Sequence, residues 1–396
     1  MQLRHRYRCE PTPGQKIALS QAFGCARVVW NDALELSHRF YQKGEQYPGY
    51  VALSKHCITQ AKRTPEREWL GEVSASMLQQ SAGDLDKAFR SWWKSKGNLR
   101  APRFKRRSHA QSVRICGKEF GPTDHGVRFP KLGELKLCWS RDLPSPPSSV
   151  TIIKDCRGQY YASFVVEVEE RPLPANGKAV GIDLGLAALV VISDGDKIAP
   201  PEFFRSALKR LWRLQRNLKG KVQGSNRLAK ARGRVARLHG KVADRRIDVL
   251  HKLSTRLIRE NQAVVLEDLN VSGILKNRKL SRAIADAGWR MLRTLLEYRA
   301  KRYGRELQII SRWEPTSQTC SACGHRDGKK SLGVRTWTCS ACSAVHDRDV
   351  NAAQNILAAS PAARLNGCGA ESKTGLPASG SEASTRLDQG GQLCLA

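Results

Sequence analysis

Two cysteine pairs near the C-terminus constrain this chain of 396 residues more than any other feature. Cys320-Ser-Ala-Cys323 and Cys339-Ser-Ala-Cys342 are separated by fifteen residues, which is the spacing of a ribbon that closes around one zinc ion through four thiolates. A redox dithiol would not need the second pair. The sequence therefore predicts a structural zinc module with these four cysteines as ligands.

An acidic segment follows the second cysteine pair directly. Residues 346–353 read His-Asp-Arg-Asp-Val-Asn-Ala-Ala and open a predicted helix. Because four soft thiolates complete a zinc site, we expect His325 and His346 to lie at the surface or beside the ligands. The module would thus deliver an aspartate to a defined place at the start of a helix.

The charge of the chain points to a polyanionic partner. Lys and Arg number 68 against 36 Asp and Glu, a formal net charge of +32. Such charge opposes folding by self-repulsion and is typical of proteins that bind nucleic acid. A membrane surface is the competing partner, but no stretch approaches the roughly twenty apolar residues of a span. The other cysteines are scattered, so we expect reduced thiols and a cytoplasmic, nucleoid-associated protein.

Two regions concentrate this charge. Residues 87–107 contain nine Lys/Arg and no acid, and residues 205–260 contain eighteen Lys/Arg against three acids. The first region is interleaved with aromatic residues, namely Phe89, Trp92, Trp93 and Phe104. This mixture suits a surface that tracks phosphates and stacks on bases. The alternative is that the aromatics belong to the core and the charges form a solvated face.

The order of the periodic segments indicates an α+β protein with several domains. Helical periodicity over residues 15–34 and 74–94 gives way to a period of two over residues 111–170, which predicts a small β-barrel or sandwich that the N-terminal strand could complete. After a Pro-rich linker, two strands, basic helices, a strand, a helix around residues 282–303, another strand and a final helix follow. This order is compatible with an RNase H-like nuclease.

Three carboxylates occupy unusual positions in this second part. Asp183 lies in an apolar strand, Glu267 follows the apolar residues 264–266, and Asp349 heads the final helix. Each has an ordinary alternative: Asp183 could end a strand in a turn, Glu267 could pair with a basic helix, and Asp349 could be an N-cap. Buried charges are costly unless they are paired or bind metal. Together, in a chain of this charge, they predict a site for two Mg²⁺ ions that hydrolyses phosphodiesters.

An ATPase is the main competing interpretation of the Asp183 strand. Residues 181–185, Gly-Ile-Asp-Leu-Gly, also resemble the first phosphate loop of actin-like ATPases. Those proteins place hydroxyl residues after the second glycine, whereas Leu-Ala-Ala-Leu follows here. The ATPase interpretation also leaves Glu267, the cysteine pairs and the charge unexplained.

In this order the motifs resemble the TnpB (OrfB) family, RNA-guided DNA endonucleases of insertion sequences that are related to type V CRISPR effectors. The segments that carry the resemblance span about residues 1–357. They are Pro-Thr-Pro-Gly-Gln at 11–15, Phe-Gly-Cys-Ala-Arg at 23–27, Pro-Arg-Phe-Lys at 102–105, Gly-Ile-Asp-Leu-Gly at 181–185, Leu-Glu-Asp-Leu at 266–269, Thr-Ser-Gln-Thr-Cys at 316–320 and Asp-Arg-Asp-Val-Asn-Ala-Ala at 347–353.

The resemblance implies two lobes. One is a wedge-type β-barrel with an inserted helical recognition domain, and the other is a RuvC-like nuclease domain interrupted by the zinc ribbon. The implied boundaries are 1–15 and 111–172 for the barrel, 16–110 for the recognition domain, 173–312 and 345–359 for the nuclease, 313–344 for the ribbon, and 360–396 for a disordered tail.

The resemblance also assigns Asp183, Glu267 and Asp349 as the magnesium ligands. Asp349 is preferred to Asp347 because it directly precedes Val-Asn-Ala-Ala. Asp347 and Asp268 are expected to lie next to the metal ligands without binding the metal themselves. The implied partners are a guide RNA and double-stranded target DNA with a short flanking motif. The alternatives are an autonomous transposase that needs no RNA and a non-cleaving RNA-guided repressor, against which the intact acids argue.

Overall fold

The N-terminal half is built on an antiparallel sheet of seven strands. The structure, a computed structural model, describes residues 1–108, 111–331 and 333–366. The strands are β1 (Gln2–Cys9), β2 (Gln111–Cys116), β3 (Gly121–Pro122), β4 (Gly126–Phe129), β5 (Gly133–Cys138), β6 (Ser149–Lys154) and β7 (Tyr160–Glu167). Their order is β2-β6-β7-β1-β5-β4-β3, so the N-terminal strand lies at the centre of the sheet.

This sheet curls but does not close. In the described part of the chain, the edge strands β2 and β3 do not pair with each other. Phe120 nevertheless reaches from one edge to the centre, where its ring centroid lies 6.3 Å from that of Phe164. The structure therefore has a curled half-barrel where the sequence predicted a β-barrel. The physical reason is that β3 contributes only two residues, too few to extend a hydrogen-bonded ladder.

In the described part of the chain, three α-helices lie between β1 and β2, and the first and the third of them pack on the sheet. They are α1 (Pro13–Gln42), α2 (Gly49–Ser54) and α3 (Ala75–Lys94). Helix α1 begins with a capping box, in which the Thr12 side chain accepts from the Gln15 N–H and the Gln15 side chain accepts from the Thr12 N–H. Leu19 and Phe23 of α1 are buried against the sheet. The helices predicted over residues 15–34 and 74–94 are confirmed.

The C-terminal half contains a second, mixed sheet. Its strands are β8 (Ala179–Asp183), β9 (Val190–Ile192), β10 (Lys197–Ile198), β11 (Ala263–Glu267) and β12 (Glu306–Ile310). Their order is β10-β9-β8-β11-β12, in which β8, β11 and β12 are parallel and the other pairs are antiparallel. The parallel strands β8 and β11 are apolar on both faces, as expected for a sheet covered by helices on both sides.

Among the described residues, six α-helices accompany this sheet. They are α4 (Phe203–Lys219), α5 (Asn226–Glu260), α6 (Val271–Ile274), α7 (Ser281–Ala287), α8 (Trp289–Tyr303) and α9 (Arg348–Ala358). Helices α5 and α8 cover one face, on which Val264 and Leu266 of β11 are buried. Helix α9 covers the other face, on which Val265 is buried with Ile356. The side chains of β11 thus alternate between two separate cores.

Two predictions for this half need correction. The helix predicted around residues 282–303 is divided into α7 and α8 by Gly288, whose φ of +69° is left-handed. Residues 361–366, predicted to belong to a disordered tail, form a 3₁₀ helix in which Ala362 is buried against the sheet. The rest of the predicted tail, 367–396, lies outside the described residues.

A small cysteine-containing module connects β12 to α9. Its two short strands, β13 (Thr336–Thr338) and β14 (Val345–Asp347), pair antiparallel, and Trp337 is buried with Cys320 and Cys339. Among the described residues, no helix has the length and apolar character that crossing a membrane would require.

Candidate functional site

Two acidic side chains end neighbouring parallel strands. Strands β8 and β11 pair with Ile182 opposite Leu266, so Asp183 and Glu267 come next to each other at the carboxyl edge of the sheet. Side chains alternate along a strand, and Ile182 and Leu266 face α5 and α8. Asp183 and Glu267 therefore face the opposite side, which is the side of α9.

This position raises the pKa of both carboxyl groups. Burial and then repulsion from Asp349 raise the pKa of Asp183 to about 6. Burial, followed by repulsion from Asp183 and Asp268, raises the pKa of Glu267 to about 7. Each carboxylate therefore destabilises the ionised form of its neighbour, which is an arrangement that favours a bound cation.

Helix α9 brings Asp349 to the same place. A Cβ atom on Gly181 would lie 2.1 Å from the Ala353 oxygen, so only glycine lets α9 pack this closely on β8. Asp349 is one helical turn before Ala353, toward the end of β8 that carries Asp183. The repulsion between Asp349 and Asp183 reflects this proximity.

Asp347, the other acid of the motif, has a different role in the structure. It is the N-cap of α9, and its side chain accepts hydrogen bonds from the backbone N–H groups of Asp349 and Val350. It also forms an ion pair with Lys197 of β10. The N-cap role that the sequence left open for Asp349 thus belongs to Asp347, whose position ties the start of α9 to the edge of the sheet.

Two further ion-pair groups surround the acids. Asp268 pairs with Arg312 and, at 2.9 Å, with Arg293, and these bonds lower its pKa, so it stays ionised and held by two guanidinium groups. Arg335, which precedes β13, lies 3.4 Å from a carboxylate oxygen of Asp349. The side chain of Asp349 is 23% exposed and that of Arg335 is 57% exposed. The cysteine module therefore places a solvent-exposed cation beside the third acid.

The four predicted cysteines come together. The Sγ atoms of Cys320, Cys323, Cys339 and Cys342 all lie within 4.8 Å of one another. The distances from Cys320 to Cys342 and from Cys323 to Cys339 are both 3.7 Å. Since zinc–sulfur bonds of about 2.3 Å in a tetrahedron require sulfur atoms about 3.8 Å apart, the cluster fits one zinc ion.

The carboxylates are spaced more widely than the cysteines. In the part of the chain that the structure describes, the cysteines are the one group of three or more potential ligands whose atoms all lie within 4.8 Å of one another. Asp183, Glu267 and Asp349 share one face and one edge, but they do not meet this spacing.

Residues other than the four cysteines also surround the cysteine cluster. His346 was expected near the surface or the ligands, and its Nε2 lies 3.0 Å from the Cys320 sulfur. Asn351 and Asn355 of α9 were given no role, yet their amides bond the backbone on either side of Cys320. The four-residue spacing of these asparagines on one helix face was the available signal.

The predicted basic regions form two surfaces. Helices α4 and α5 pack together, and Phe203, Arg210, Lys241 and Arg245 line the cleft between them. In the first half, a cavity of about 530 Å³ lies between α1, α3 and β2.

The aromatic residues of segment 87–107 divide between the two interpretations. Phe89 is 6% exposed and, together with Trp92, packs in the helical core. Trp93 and Phe104 are each 48% exposed. The core therefore accounts for half of these aromatics, and the other half remain accessible for stacking.

Three regions of the chain match known families. Residues 163–278 match a family described as "Probable transposase", residues 289–356 match "Cas12f1-like, TNB domain", and residues 1–46 match "Helix-turn-helix domain". Over residues 1–46 the structure has β1 followed by the single long helix α1.

Curated relatives match over nearly the full chain. A protein of Streptomyces pristinaespiralis named "Putative RNA-guided DNA endonuclease" is 45% identical over 368 residues, which are 92% of this chain and 90% of that protein. InsQ of Escherichia coli K12, with the same designation, is 31% identical over 390 residues, 94% of this chain and 95% of that protein.

A solved structure shares the fold. The chain in the "Cryo-EM structure of the Cas12f1-sgRNA-target DNA complex" aligns with a TM-score of 0.57 at 14% identity, covering 91% of this chain and 99% of that chain.

Proposed function

This chain belongs to the TnpB (OrfB) family of insertion-sequence proteins, and from that premise we propose that it is an RNA-guided DNA endonuclease of a bacterial transposable element. A guide RNA would select the target by base pairing, while the protein holds the backbones and reads a short motif in the flanking DNA. Relatives that carry this designation match more than nine-tenths of the chain.

The observation that carries the proposal is the pair of repelling carboxylates, Asp183 and Glu267, at the ends of adjacent parallel strands. Bound Mg²⁺ would supply the chemistry that polarises the scissile phosphodiester, lowers the pKa of a water molecule and neutralises the charge of the leaving oxygen. Asp183, Glu267 and Asp349 would hold two such ions, since hard cations prefer carboxylate oxygens.

The residues around the acids have supporting tasks in this proposal. Glu267 would release its proton when the cations bind, because its pKa of about 7 reflects burial and neighbouring negative charge. Asp347 would keep the first turn of α9 in place through its capping bonds. Asp268, whose oxygens are already bonded to Arg293 and Arg312, would remain outside the metal site.

We extend the proposal to the architecture. The second sheet with α9 would form a RuvC-like nuclease domain at residues 173–312 and 345–359, and residues 313–344 would form a ribbon around one structural zinc. The half-barrel would comprise residues 1–15 and 111–172, with residues 16–110 as the recognition domain. The spacing of the four cysteine sulfurs supports the zinc assignment.

The basic surfaces would bind the nucleic acids. The cleft between α4 and α5 is lined by Arg210, Lys241 and Arg245, which suits an RNA or heteroduplex backbone. The exposed rings of Trp93 and Phe104 would stack on bases at the helical end of the first half.

The test begins with protein purified together with the transcript that flanks its gene. The RNA that co-purifies is sequenced, and a plasmid that matches its guide segment is incubated with the complex and Mg²⁺. We expect cutting that requires the RNA, that chelation of Mg²⁺ abolishes, and that Asp183→Ala loses. Asp194→Ala is the matched control, since this exposed acid pairs with Lys178 just after β9.

Two other outcomes would replace the proposal. Cutting that survives RNase treatment would identify an autonomous transposase, the activity that the family description "Probable transposase" names. Binding of RNA and target without cutting would identify a guided repressor.

A further inference from the structure

We propose that the first cysteine knuckle, residues 316–323, positions Asp349 through two asparagines of α9, Asn351 and Asn355. The proposal rests on the function proposed above, because it concerns the third carboxylate of that metal site. The zinc module would then affect the magnesium site without touching the substrate. Asn351 and Asn355 would be positioning residues.

Asn351 is the centre of the contact. It is 1% exposed, although it is a polar residue. Its Oδ1 accepts a hydrogen bond from the Ser321 N–H at 2.8 Å. Its Nδ2 donates to the carbonyl oxygens of Thr319 at 2.8 Å and of Thr316 at 3.4 Å. One side chain thus binds the backbone on both sides of Cys320.

Asn355 repeats the contact one helical turn later. Its Nδ2 donates to the Thr316 oxygen at 2.8 Å and to the Thr319 oxygen at 2.7 Å. Gln354 adds a bond in which its Oε1 accepts from the Ser321 hydroxyl at 2.7 Å. Positions 351, 354 and 355 lie on one face of a helix, so α9 presents a row of three amides to the knuckle.

Only an amide can make the contact of Asn351. The side chain must accept from an N–H group and donate to carbonyl groups at the same time. An ionised aspartate could not donate, and a leucine of similar size could do neither. An aspartate would lose the two donated bonds, and a leucine would in addition leave the Ser321 N–H group without this acceptor.

The opposite face of α9 explains why the knuckle matters for Asp349. There α9 packs on the sheet through apolar side chains such as Ala353 and Ile356, and its N-cap Asp347 pairs with Lys197 at the sheet edge. Apolar packing is not directional and tolerates small shifts of a helix along its groove. The asparagine bonds are directional, and Asn351 is only two residues from Asp349. These bonds therefore fix the position of Asp349 along the helix axis relative to Asp183.

The test measures binding of Mn²⁺, a spectroscopic substitute for Mg²⁺, to the full-length protein freed of RNA. Electron paramagnetic resonance reports free Mn²⁺, and Asp183→Ala defines the background from sites elsewhere on the chain. The comparison is between Asn351→Ala, Asn355→Ala and the control Asn261→Ala. Asn261 is also buried and bonds a helix end through its Nδ2, but it lies at the opposite end of β11 from Glu267.

We expect Asn351→Ala to weaken the Mn²⁺ site about tenfold, the size of effect seen when groups that orient metal ligands are removed. Asn261→Ala should leave Mn²⁺ affinity unchanged even if it lowers the melting temperature. If Asn351 only stabilised the fold, Asn351→Ala and Asn261→Ala would both lower the melting temperature and neither would change Mn²⁺ affinity. That result would overturn the proposal.

A double-mutant cycle then tests whether the effect passes through the knuckle. Cys323→Ser should weaken the Mn²⁺ site in the wild-type background but add little in the Asn351→Ala background, because both changes break one connection. Fully additive effects would overturn the proposal. If Asn351→Ala does not fold, Asn355→Ala decides, since it removes two bonds and keeps Asn351. Wild-type Mn²⁺ affinity in that variant would overturn the proposal as well.

The two proposals fail in different ways. If Asp183→Ala keeps the full Mn²⁺ site, the carboxylates are not the metal ligands and the proposed function falls. If Asp183→Ala loses the site while both asparagine variants keep it, only the positioning role falls.

Discussion

The two groups of potential metal ligands in this chain are organised in opposite ways. The four cysteine sulfurs lie within 4.8 Å of one another, at the spacing that a tetrahedral ion requires. The carboxylates of Asp183 and Glu267 repel each other at a sheet edge, and burial raises the pKa of both. The cysteine group is preassembled, whereas the acidic group is electrostatically strained.

The difference follows from how each group is built. The cysteines come from two short knuckles whose own backbone bonds close them, such as Cys320 N–H to His325 O and Cys339 N–H to Ala344 O. The three acids come from elements that lie more than eighty residues apart in the chain. The cysteine group is thus completed locally, while the acidic group holds unfavourable charge that a bound cation would relieve.

The largest effect is expected for a substitution of Glu267, which should reduce DNA cutting without reducing stability. Glu267→Gln should reduce cutting about 10³-fold or more, a loss of roughly 4 kcal/mol of transition-state stabilisation. Its unfolding free energy at pH 8 should not fall, because the change removes a charge that burial and Asp183 disfavour. Single-turnover cleavage and urea unfolding check both parts.

Glu297→Gln is the control for this variant. Glu297 forms an ordinary helix pair with Arg293, worth a few tenths of a kcal/mol. Equal activity of the two glutamine variants would refute the assignment of Glu267.

At the cysteine group we expect a substitution to reduce the stability of the protein. Cys339→Ser should lose most of its bound zinc and unfold at lower temperature, because a structural zinc site contributes its binding energy to folding. Zinc content by mass spectrometry and thermal unfolding by circular dichroism measure the effect. Cys138→Ser, at an exposed thiol of β5, is the control. Unchanged zinc stoichiometry in Cys339→Ser would contradict the four-thiolate site.

A third prediction concerns the pH dependence of the metal-free protein. The folded pKa values of Asp183 and Glu267, about 6 and about 7, exceed the values of about 4 in unfolded chains. The folded state therefore binds more protons, and these groups lower the unfolding free energy as pH rises from about 4 to about 7. Urea unfolding at pH 5 and pH 8 should show a smaller decrease for Glu267→Gln than for the wild type.

Mg²⁺ should reverse this trend. It binds the ionised carboxylates of the folded state, so it should stabilise the wild type more at pH 8 than at pH 5. Identical pH profiles for the wild type and Glu267→Gln would show that Glu267 has an ordinary pKa.

The smallest expected effect is at the connection between the two groups. Arg335 pairs with Asp349 at 3.4 Å but is 57% exposed, and pairs of this kind contribute at most about 1 kcal/mol. Arg335→Gln should therefore raise Mn²⁺ affinity a few-fold, because a competing cation is removed. Arg326→Gln, another arginine of the cysteine module, is the control. Lower Mn²⁺ affinity in Arg335→Gln would mean that the arginine orients Asp349 instead of competing for it.

The comparison also separates what was predictable from what was not. The cysteine cluster was predicted from spacing alone, because its geometry is local. Periodicity predicted the strands β8 and β11 but did not reveal them as parallel neighbours, since strand pairing depends on the whole sheet. The break at Gly288 was missed because a single glycine does not interrupt helical periodicity.

Helix α9 shows most clearly what the sequence could not predict. The sequence marked Asp347 and Asp349 as neighbouring candidates in one motif, and only the structure distinguishes the N-cap from the side chain that faces Asp183. The roles of Asn351 and Asn355 depend on backbone groups of a loop about thirty residues or more earlier in the chain. No local pattern contains that information.

By itself the sequence determined the class of partner, the four cysteines that cluster and three acids at element ends. These features follow from charge, short spacings and the cost of burying a carboxylate, which are properties of a residue and its chain neighbours. The tertiary structure alone decided that β8 and β11 end side by side, that Gly181 admits α9 and that the first knuckle bonds this helix. Those features depend on contacts between distant segments, and such contacts form only when the whole core packs.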